Sequence, residues 1–175
     1  MPWHTIVRYT AHALLFAICV TPLWLIIRRF VLHRRFHRRD LPRAFTIGYL
    51  AAVAEIIGLR IGLRAPKWLG GTIRLTPMYT TLEAWHGGAG RFLYHVGGNA
   101  LWFVPLGALL SRTQGHASWL RALAAGAAYS VALELMQYVL GTGMTDIDDV
   151  LLNALGALAG FGLGRLSQKA RKRTK

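Results

Sequence analysis

Carboxylate and amide side chains gather around one polar loop near the C-terminal end of the chain, residues 141–149. These residues are Glu134, Gln137, Asp146, Asp148, Asp149 and Asn153. The segments on both sides of the loop are apolar, and a charged side chain at the centre of a bilayer costs about 2.5–3.5 kcal/mol on insertion scales. Groups this costly, placed together near the ends of two apolar segments, indicate a polar site at one face of a membrane.

The residue types at this site are compatible with binding or with catalysis. Carboxylates and amides bond sugar hydroxyls and peptide amides, while the flanking apolar helices accommodate an acyl chain. The alternative is a membrane enzyme that acts on lipid-linked or glycosidic substrates. Glu134 and Asp149 are its catalytic candidates, because burial would raise the pKa of Glu134 relative to loop-exposed Asp149 and so separate an acid from a base. With Asp146 they also offer oxygen ligands of the kind that Mg²⁺ or Ca²⁺ takes. No metal-binding, hydrolase or phosphate-loop motif supports these reactions, so neither a metal nor a cofactor is predicted.

Two further interpretations remain open. Glu55 and Glu134 are titratable groups within apolar segments, which is also typical of small transporters. Alternatively, the polar residues only hold helices together, although an interhelical hydrogen bond contributes on the order of 0.6 kcal/mol on average. This stabilisation is small compared with the cost of inserting such groups into a membrane. The sequence therefore favours a binding site over a purely structural role.

Five apolar segments must position this site. They cover residues 9–27, 44–63, 92–110, 122–140 and 150–166. A helix of about 20 residues crosses a hydrocarbon core roughly 30 Å thick. The chain of 175 residues, 54% of them hydrophobic, therefore predicts an all-α fold: a polytopic transmembrane bundle of about five spans, forming a single membrane domain over residues 1–175. The last three spans are expected to form its packed core.

The basic residues predict the orientation of the bundle. Fifteen of the 21 Lys and Arg residues lie in the connection 28–43, beside the third connection, or from Arg165 at the end of the last span onwards. Because such residues concentrate on the cytoplasmic side, we expect the N-terminus outside and the C-terminus in the cytoplasm. The polar loop and the connection 64–91 then face outward.

The net charge of +14 is explained by this topology. The basic connection 28–43 is suited to anionic lipid, which attracts Lys and Arg beside a membrane by about 1 kcal/mol each. Membrane lipid is thus an expected partner. Nucleic acid is not, because the chain shows no aromatic-basic interleaving, zinc-ligand spacing or recognition-helix pattern.

Local motifs predict details of the outer connection and of helix packing. Thr80 and Glu83 fit a capping box, which predicts a short interfacial helix within residues 64–91. Pro105 and Gly107 predict a kink and a close approach in the third span. The residues assigned to packing are Pro105, Gly107, Gly156 and Gly160. Because Gly156 and Gly160 share one helix face, we expect the fourth and fifth spans to pack together and to bring Glu134 and Asp149 towards each other at the outer surface.

The same positions resemble the VanZ-like family of bacterial integral membrane proteins. The resemblance covers residues 74–165 and is carried by Asn99, Phe103, Pro105, Leu106, Gly107, Glu134, Gln137, Asp149, Asn153, Gly156 and Gly160. It implies a location in the cytoplasmic (inner) membrane of a bacterium and a link to glycopeptide resistance, specifically to teicoplanin. The partner it implies is a lipid-linked cell-wall precursor or a lipophilic glycopeptide. The candidate ligand-binding residues are Asn99, Glu134, Gln137, Asp146, Asp149 and Asn153.

One position departs from the family pattern. The family usually has an arginine after the Glu-x-x-Gln helix, where this chain has Gly143 and no basic residue between Arg121 and Arg165. A positive charge at the site would have to come from the outer connection. The candidates there are Arg74, Arg91, His86 and His95.

Overall fold

The computed structural model describes residues 3–38, 40–59, 67–112 and 118–173, which form six helices and two short strands. The helices are α1 (Trp3–Ile26), α2 (Asp40–Val53), α3 (Tyr79–His86), α4 (Ala89–Leu110), α5 (Trp119–Leu140) and α6 (Ile147–Arg173), and the strands are β1 (Thr72–Arg74) and β2 (Met144–Asp146). Both α1 and α2 end in a wide π-helical stretch, Ile27–Val31 and Ala54–Leu59 respectively.

Five of these helical segments are long and apolar enough to cross a membrane. They are Thr10–Val31, Asp40–Leu59, Ala89–Leu110, Trp119–Leu140 and Ile147–Arg173. The predicted all-α bundle with five spans is thus confirmed. The orientation of the termini stays a prediction, and residues 60–66, which include the end of the predicted second span, lie outside the described residues.

Glycines bring the backbones of α4 and α6 into direct contact. A Cβ atom built on Gly107 would lie 1.8 Å from the Ala157 carbonyl oxygen, and one on Gly160 would lie 1.9 Å from that of Val104. On Gly156 it would lie 2.1 Å from the carbonyl oxygen of Ala100. Such close approach is how helices gain van der Waals contact in lipid, where burial of apolar surface between them brings no advantage.

The expected partner of this glycine face needs correction. Gly156 and Gly160 were expected to pack against the fourth span, but they lie against α4, the third span. Helices α5 and α6 do pack together, through a different face: a Cβ atom on Gly126 would lie 2.7 Å from that of Ala157. Helix α6 therefore presents small residues in two directions, and the sequence pattern alone does not say which neighbour takes which face.

Helix α2 completes the core through buried apolar residues and two tyrosines. Val53 and Ile57 pack with Phe103 and Leu133. The Tyr49 hydroxyl donates to the Trp102 carbonyl oxygen at 2.5 Å, and the Tyr129 hydroxyl donates to that of Leu50 at 2.5 Å. Each bond satisfies the hydroxyl of a partly buried tyrosine. Helix α4 runs through Pro105 without ending.

A short parallel strand pair joins the connection between the second and third spans to the polar loop. Strand β1 pairs with β2 so that Thr72 lies opposite Met144 and Arg74 opposite Asp146. Two further bonds extend this contact along the end of α5: Lys67 N–H donates to the Leu140 carbonyl oxygen and Leu69 N–H to that of Val139, both at 2.8 Å. The sequence predicted no strand in either segment. The strand pair places Arg74 beside the start of α6.

The contact between α4 and α6 predicts that Gly160 tolerates no side chain. Replacing it by alanine forces the new methyl group into the Val104 backbone, and we expect a loss of about 1–3 kcal/mol, the usual cost of overpacking. Thermal unfolding of the purified protein in detergent measures this loss. Gly162→Ala on the same helix is the matched control, because its Cβ would meet nothing within 4 Å. Equal unfolding temperatures for the two variants would contradict the close approach.

Candidate functional site

Three aspartates stand at the beginning of α6, where the helix N-terminus favours negative charge. The Asp146 carboxylate accepts the Asp148 N–H at 2.9 Å, as an N-cap residue does. It also accepts a hydrogen bond from the Thr80 hydroxyl. Asp146 is only 2% exposed. Its carboxylate thus fixes the start of α6 and binds that start to α3.

Asp148 caps a different helix from the one that carries it. Its carboxylate accepts the Met78 N–H at 2.5 Å and the Thr81 N–H at 2.9 Å, and the Thr81 hydroxyl donates to it at 3.0 Å. These amides belong to the N-terminal end of α3, whose own N-cap residue, Met78, supplies no capping side chain and has φ of 64°. One buried carboxylate therefore holds α3 onto the bundle.

The short helix expected within residues 64–91 is present, but the predicted capping box is wrong. Thr80 lies inside α3 and donates to Asp146 instead of capping its own helix. Glu83 forms ion pairs with Arg74 and Arg91 at 3.4 and 3.3 Å. A carboxylate distant in sequence has taken the role assigned to the local motif.

Asn99, His95 and Asp149 form the partly accessible part of the site. The Asn99 amide donates to the Asp149 carboxylate at 2.7 Å and so joins α4 to α6. The same carboxylate oxygen lies 3.8 Å from Nδ1 of His95, and Nε2 of His95 lies 3.3 Å from the Thr81 hydroxyl. The side chains of His95 and Asp149 are 13% and 18% exposed. This group is named the Asn99–Asp149 site below.

Glu134 reaches the same loop from its buried side. It is 3% exposed, and its carboxylate accepts the Asp146 N–H at 2.8 Å. The Thr145 hydroxyl donates to its carbonyl oxygen at 2.9 Å. Glu134 is therefore directed into the protein and holds the polar loop onto α5.

Gln137 and Asn153 form buried interhelical contacts. Gln137 donates from its amide to the Ile57 carbonyl oxygen at 2.7 Å, beside a bond of 2.8 Å from the Thr142 hydroxyl to the Gly58 carbonyl oxygen. These bonds fasten the π-helical end of α2 to α5. Asn153, fully buried, donates to the Ser130 hydroxyl at 2.8 Å and so links α6 to α5.

The six candidate ligand-binding residues differ in burial: Asn99 and Asp149 are partly accessible, and the other four are buried. Asn99 and Asp149 meet, Glu134 and Asp146 meet through a backbone amide, and Gln137 and Asn153 lie in separate contacts. The sequence analysis placed Asp148 in the polar cluster but not among the candidate ligand-binding residues, and it gave no role to Thr81. A signal existed, because the N-terminus of α3 needs an acceptor, but nothing local indicates a carboxylate 67 residues later.

Arg74, one of the candidate basic residues, lies near the carboxylates. Arg74 donates from Nη1 to the Thr80 hydroxyl at 3.1 Å, and Thr80 in turn donates to Asp146. The Arg74 guanidinium also lies over the Tyr79 ring, 4.4 Å from its centroid. Of the four candidates for the missing family arginine, Arg74 is thus linked to Asp146 through one hydroxyl, and His95 lies beside Asp149.

Three neighbouring side chains lie in an order also found in hydrolases. Thr81, His95 and Asp149 follow one another as nucleophile, base and orienting carboxylate do in some hydrolases. The Thr81 hydroxyl, however, donates its hydrogen bond to the Asp148 carboxylate and not to His95. Among the described residues, no group of three or more His, Cys, Asp and Glu side chains is arranged to hold a metal ion.

Comparison with known proteins decides the family. Residues 14–168 match the family model described as VanZ/LLP1. The chain belongs to the VanZ/LLP1 family. The match includes most of α1 and all of α2, which the motif resemblance over residues 74–165 did not cover. With its five apolar helices, this VanZ-family chain is a multi-pass membrane protein.

One relative of this VanZ-family chain is Protein VanZ of Enterococcus faecium, 34% identical over 71 residues. The aligned region covers 41% of this chain and 44% of that protein, so it spans less than half of the relative. No solved structure matches the chain.

Removal of the Asp148 carboxylate is expected to release α3 from the bundle. Asp148→Ala leaves the Met78 and Thr81 amides without their acceptor, and an unsatisfied buried group costs about 1–3 kcal/mol. We expect faster amide hydrogen exchange at Thr81 and through the first turn of α3. Glu83→Ala, an exposed carboxylate of the same helix, is the control and should leave this exchange unchanged. Full protection of Thr81 in the Asp148 variant would show that the cap is not needed.

Gln137 is expected to act on stability. Gln137→Leu keeps the side-chain size but leaves the Ile57 carbonyl oxygen without its donor, at a cost of about 1–3 kcal/mol. Thermal unfolding in detergent measures the loss, with Leu135→Ala on the exposed side of α5 as the control. An unchanged unfolding temperature would argue against the structural role and return Gln137 to the set of candidate ligand contacts.

Proposed function

We propose that this VanZ-family protein binds the polar part of a lipid-linked envelope component or of a lipophilic glycopeptide at the outer leaflet of the bacterial cytoplasmic membrane. Binding lowers the sensitivity of the cell to glycopeptides such as teicoplanin. The observation that carries this proposal is the 2.7 Å bond between Asn99 and Asp149, which sets an amide and a carboxylate at the junction of two apolar helices while leaving them partly accessible.

The chemistry of the Asn99–Asp149 site suits sugar and peptide groups. A carboxylate accepts several hydrogen bonds at once, an amide both donates and accepts, and an imidazole does either according to its tautomer. Sugar hydroxyls and peptide amides present the complementary donors and acceptors. The buried carboxylates beneath, Asp146 and Asp148, already hold the loop and α3, so the site is supported by fixed neighbours.

The surroundings of the site suit the lipid part of such a ligand. Leu82 and Trp85 of α3 are 51% and 61% exposed, and Leu93 and Leu101 of α4 are 67% and 69% exposed. An amphiphile with its head at Asp149 finds apolar surface on the helices that carry the site. Trp85 is also of the type enriched at the membrane interface.

Family membership supports the link to glycopeptides. The resemblance to the VanZ-like pattern implies such a link, and the match to the VanZ/LLP1 family extends over residues 14–168. The relative named Protein VanZ aligns over 44% of its length. The antibiotic is thus one member of the proposed ligand class, alongside a lipid-linked cell-wall precursor.

Replacement of Asp149 tests the proposal. Asp149→Asn retains the size of the side chain and an acceptor for Asn99 but removes the charge. We expect binding of a lipid-linked cell-wall precursor, measured by native mass spectrometry of the full chain, to weaken about tenfold or more, because hydrogen bonds to charged groups contribute about 1.5–3 kcal/mol. The teicoplanin concentration that inhibits an expressing host should fall in parallel.

The matched control is Glu83→Gln, which neutralises an exposed carboxylate on the same side of the bundle outside the Asn99–Asp149 site. It should bind as the unaltered chain does. Unchanged binding in the Asp149 variant, or an equal loss in both variants, would contradict the proposed site.

A further inference from the structure

An apolar groove lies at the end of the bundle opposite to the Asn99–Asp149 site. It has a volume of about 480 Å³ and is formed where the N-terminal end of α2 meets the C-terminal end of α4. Its lining includes Pro42, Phe45, Tyr49, Pro105, Leu109 and Arg112. The volume falls within the range of ligand sites, roughly 300–1,000 Å³.

Helices α2 and α4 are joined at the inner limit of this groove. Between their ends the groove is open at the side of the bundle. The Tyr49 hydroxyl bonds the Trp102 carbonyl oxygen and holds α2 against α4 at that level. Closer to the helix ends, Phe45 remains 63% exposed and Leu109 36% exposed. An acyl chain of a neighbouring lipid therefore reaches the groove from the side without any rearrangement of the bundle.

Arg112 supplies a positive charge at the mouth of this apolar groove. Its side chain is exposed, and among the residues that the structure describes no carboxylate lies within 4 Å of its guanidinium. A cation placed at the end of an otherwise apolar groove matches a molecule that carries a negative charge at the head of a hydrocarbon chain.

The neighbouring connection leaves no acidic side chain to compete for that charge. Asp40 is the one acidic residue in the segment 28–43, against seven arginines. It is fully buried and held by Arg28 at 2.9 Å, by Arg43 at 3.5 Å and by the His37 N–H at 2.7 Å. Phe30 and Phe36, 67% and 60% exposed, alternate with the arginines of this segment. Exposed basic and apolar residues in one segment favour contact with an anionic membrane surface.

We infer that the groove binds one anionic phospholipid, with an acyl chain between Phe45 and Pro105 and its phosphate at Arg112. The site is independent of the proposed function, because it shares no residue with the Asn99–Asp149 site. It fixes α2 against α4 on the side where the basic residues gather.

Native mass spectrometry of the full chain tests the site with phosphatidylglycerol and phosphatidylcholine of identical acyl chains. We expect the protein to retain phosphatidylglycerol in preference. Arg112→Gln should weaken its retention about fivefold, which corresponds to about 1 kcal/mol for one arginine near an anionic surface. Arg165→Gln, an exposed arginine on α6, is the control and should retain the lipid normally.

A second variant tests the groove itself. Thr46 also lines it, and Thr46→Trp should fill the volume and reduce retention of phosphatidylglycerol while Arg112 is intact. Soluble glycerol phosphate should not displace the lipid. Equal retention of the two lipids, equal losses in the Arg112 and Arg165 variants, full retention in the Thr46 variant, or displacement by glycerol phosphate would each overturn the inference. Circular dichroism confirms that both variants keep their helices.

Discussion

The backbone contact between α4 and α6 is the constraint on which the rest of the molecule depends. Gly156 faces Ala100 and Gly160 faces Val104, so the two helices run parallel in one fixed register. Because a backbone carbonyl has no rotamer to change, this register permits little adjustment. It brings the start of α6 beside the first half of α4, and the bond between Asn99 and Asp149 follows from it.

The positions of α3 and of the polar loop depend on this register in turn. Once the start of α6 is placed, Asp148 meets the N-terminus of α3. Asp146 accepts a hydrogen bond from Thr80 and lies opposite Arg74 in the strand pair. Polar groups that are costly to insert in a membrane are thereby satisfied by protein. Asp146 and Asp148 are thus buried and hydrogen-bonded within the protein, whereas Asn99 and Asp149 remain partly accessible.

The two ends of the bundle differ in charge for physical reasons visible in their contacts. At the start of α6 three aspartates lie where a helix N-terminus favours them. At the other end, one buried aspartate serves two arginines, and Arg112 stands at the mouth of an apolar groove. A protein built in this way presents hydrogen-bond acceptors to one leaflet and an excess of positive charge to the other.

The sequence by itself determined the five spans, the helical fold and the family. Span length is a local property, since about 20 apolar residues suffice to cross a bilayer. The family pattern is likewise carried by residues at fixed positions in the sequence, such as Asn99 and Pro105. The presence of a helix before Gly87 was also foreseeable, although its capping was not.

Only the tertiary structure decided which groups meet. A stripe of glycines states that a helix approaches a neighbour closely, but Gly160 carries no side chain that could identify that neighbour. The cap of α3 comes from Asp148, and the donor for the Ile57 carbonyl oxygen comes from Gln137, 80 residues away. Such contacts depend on the packing of whole helices. The candidate ligand residues are all carboxylates or amides, and only the fold shows which of them are partly accessible and which are buried.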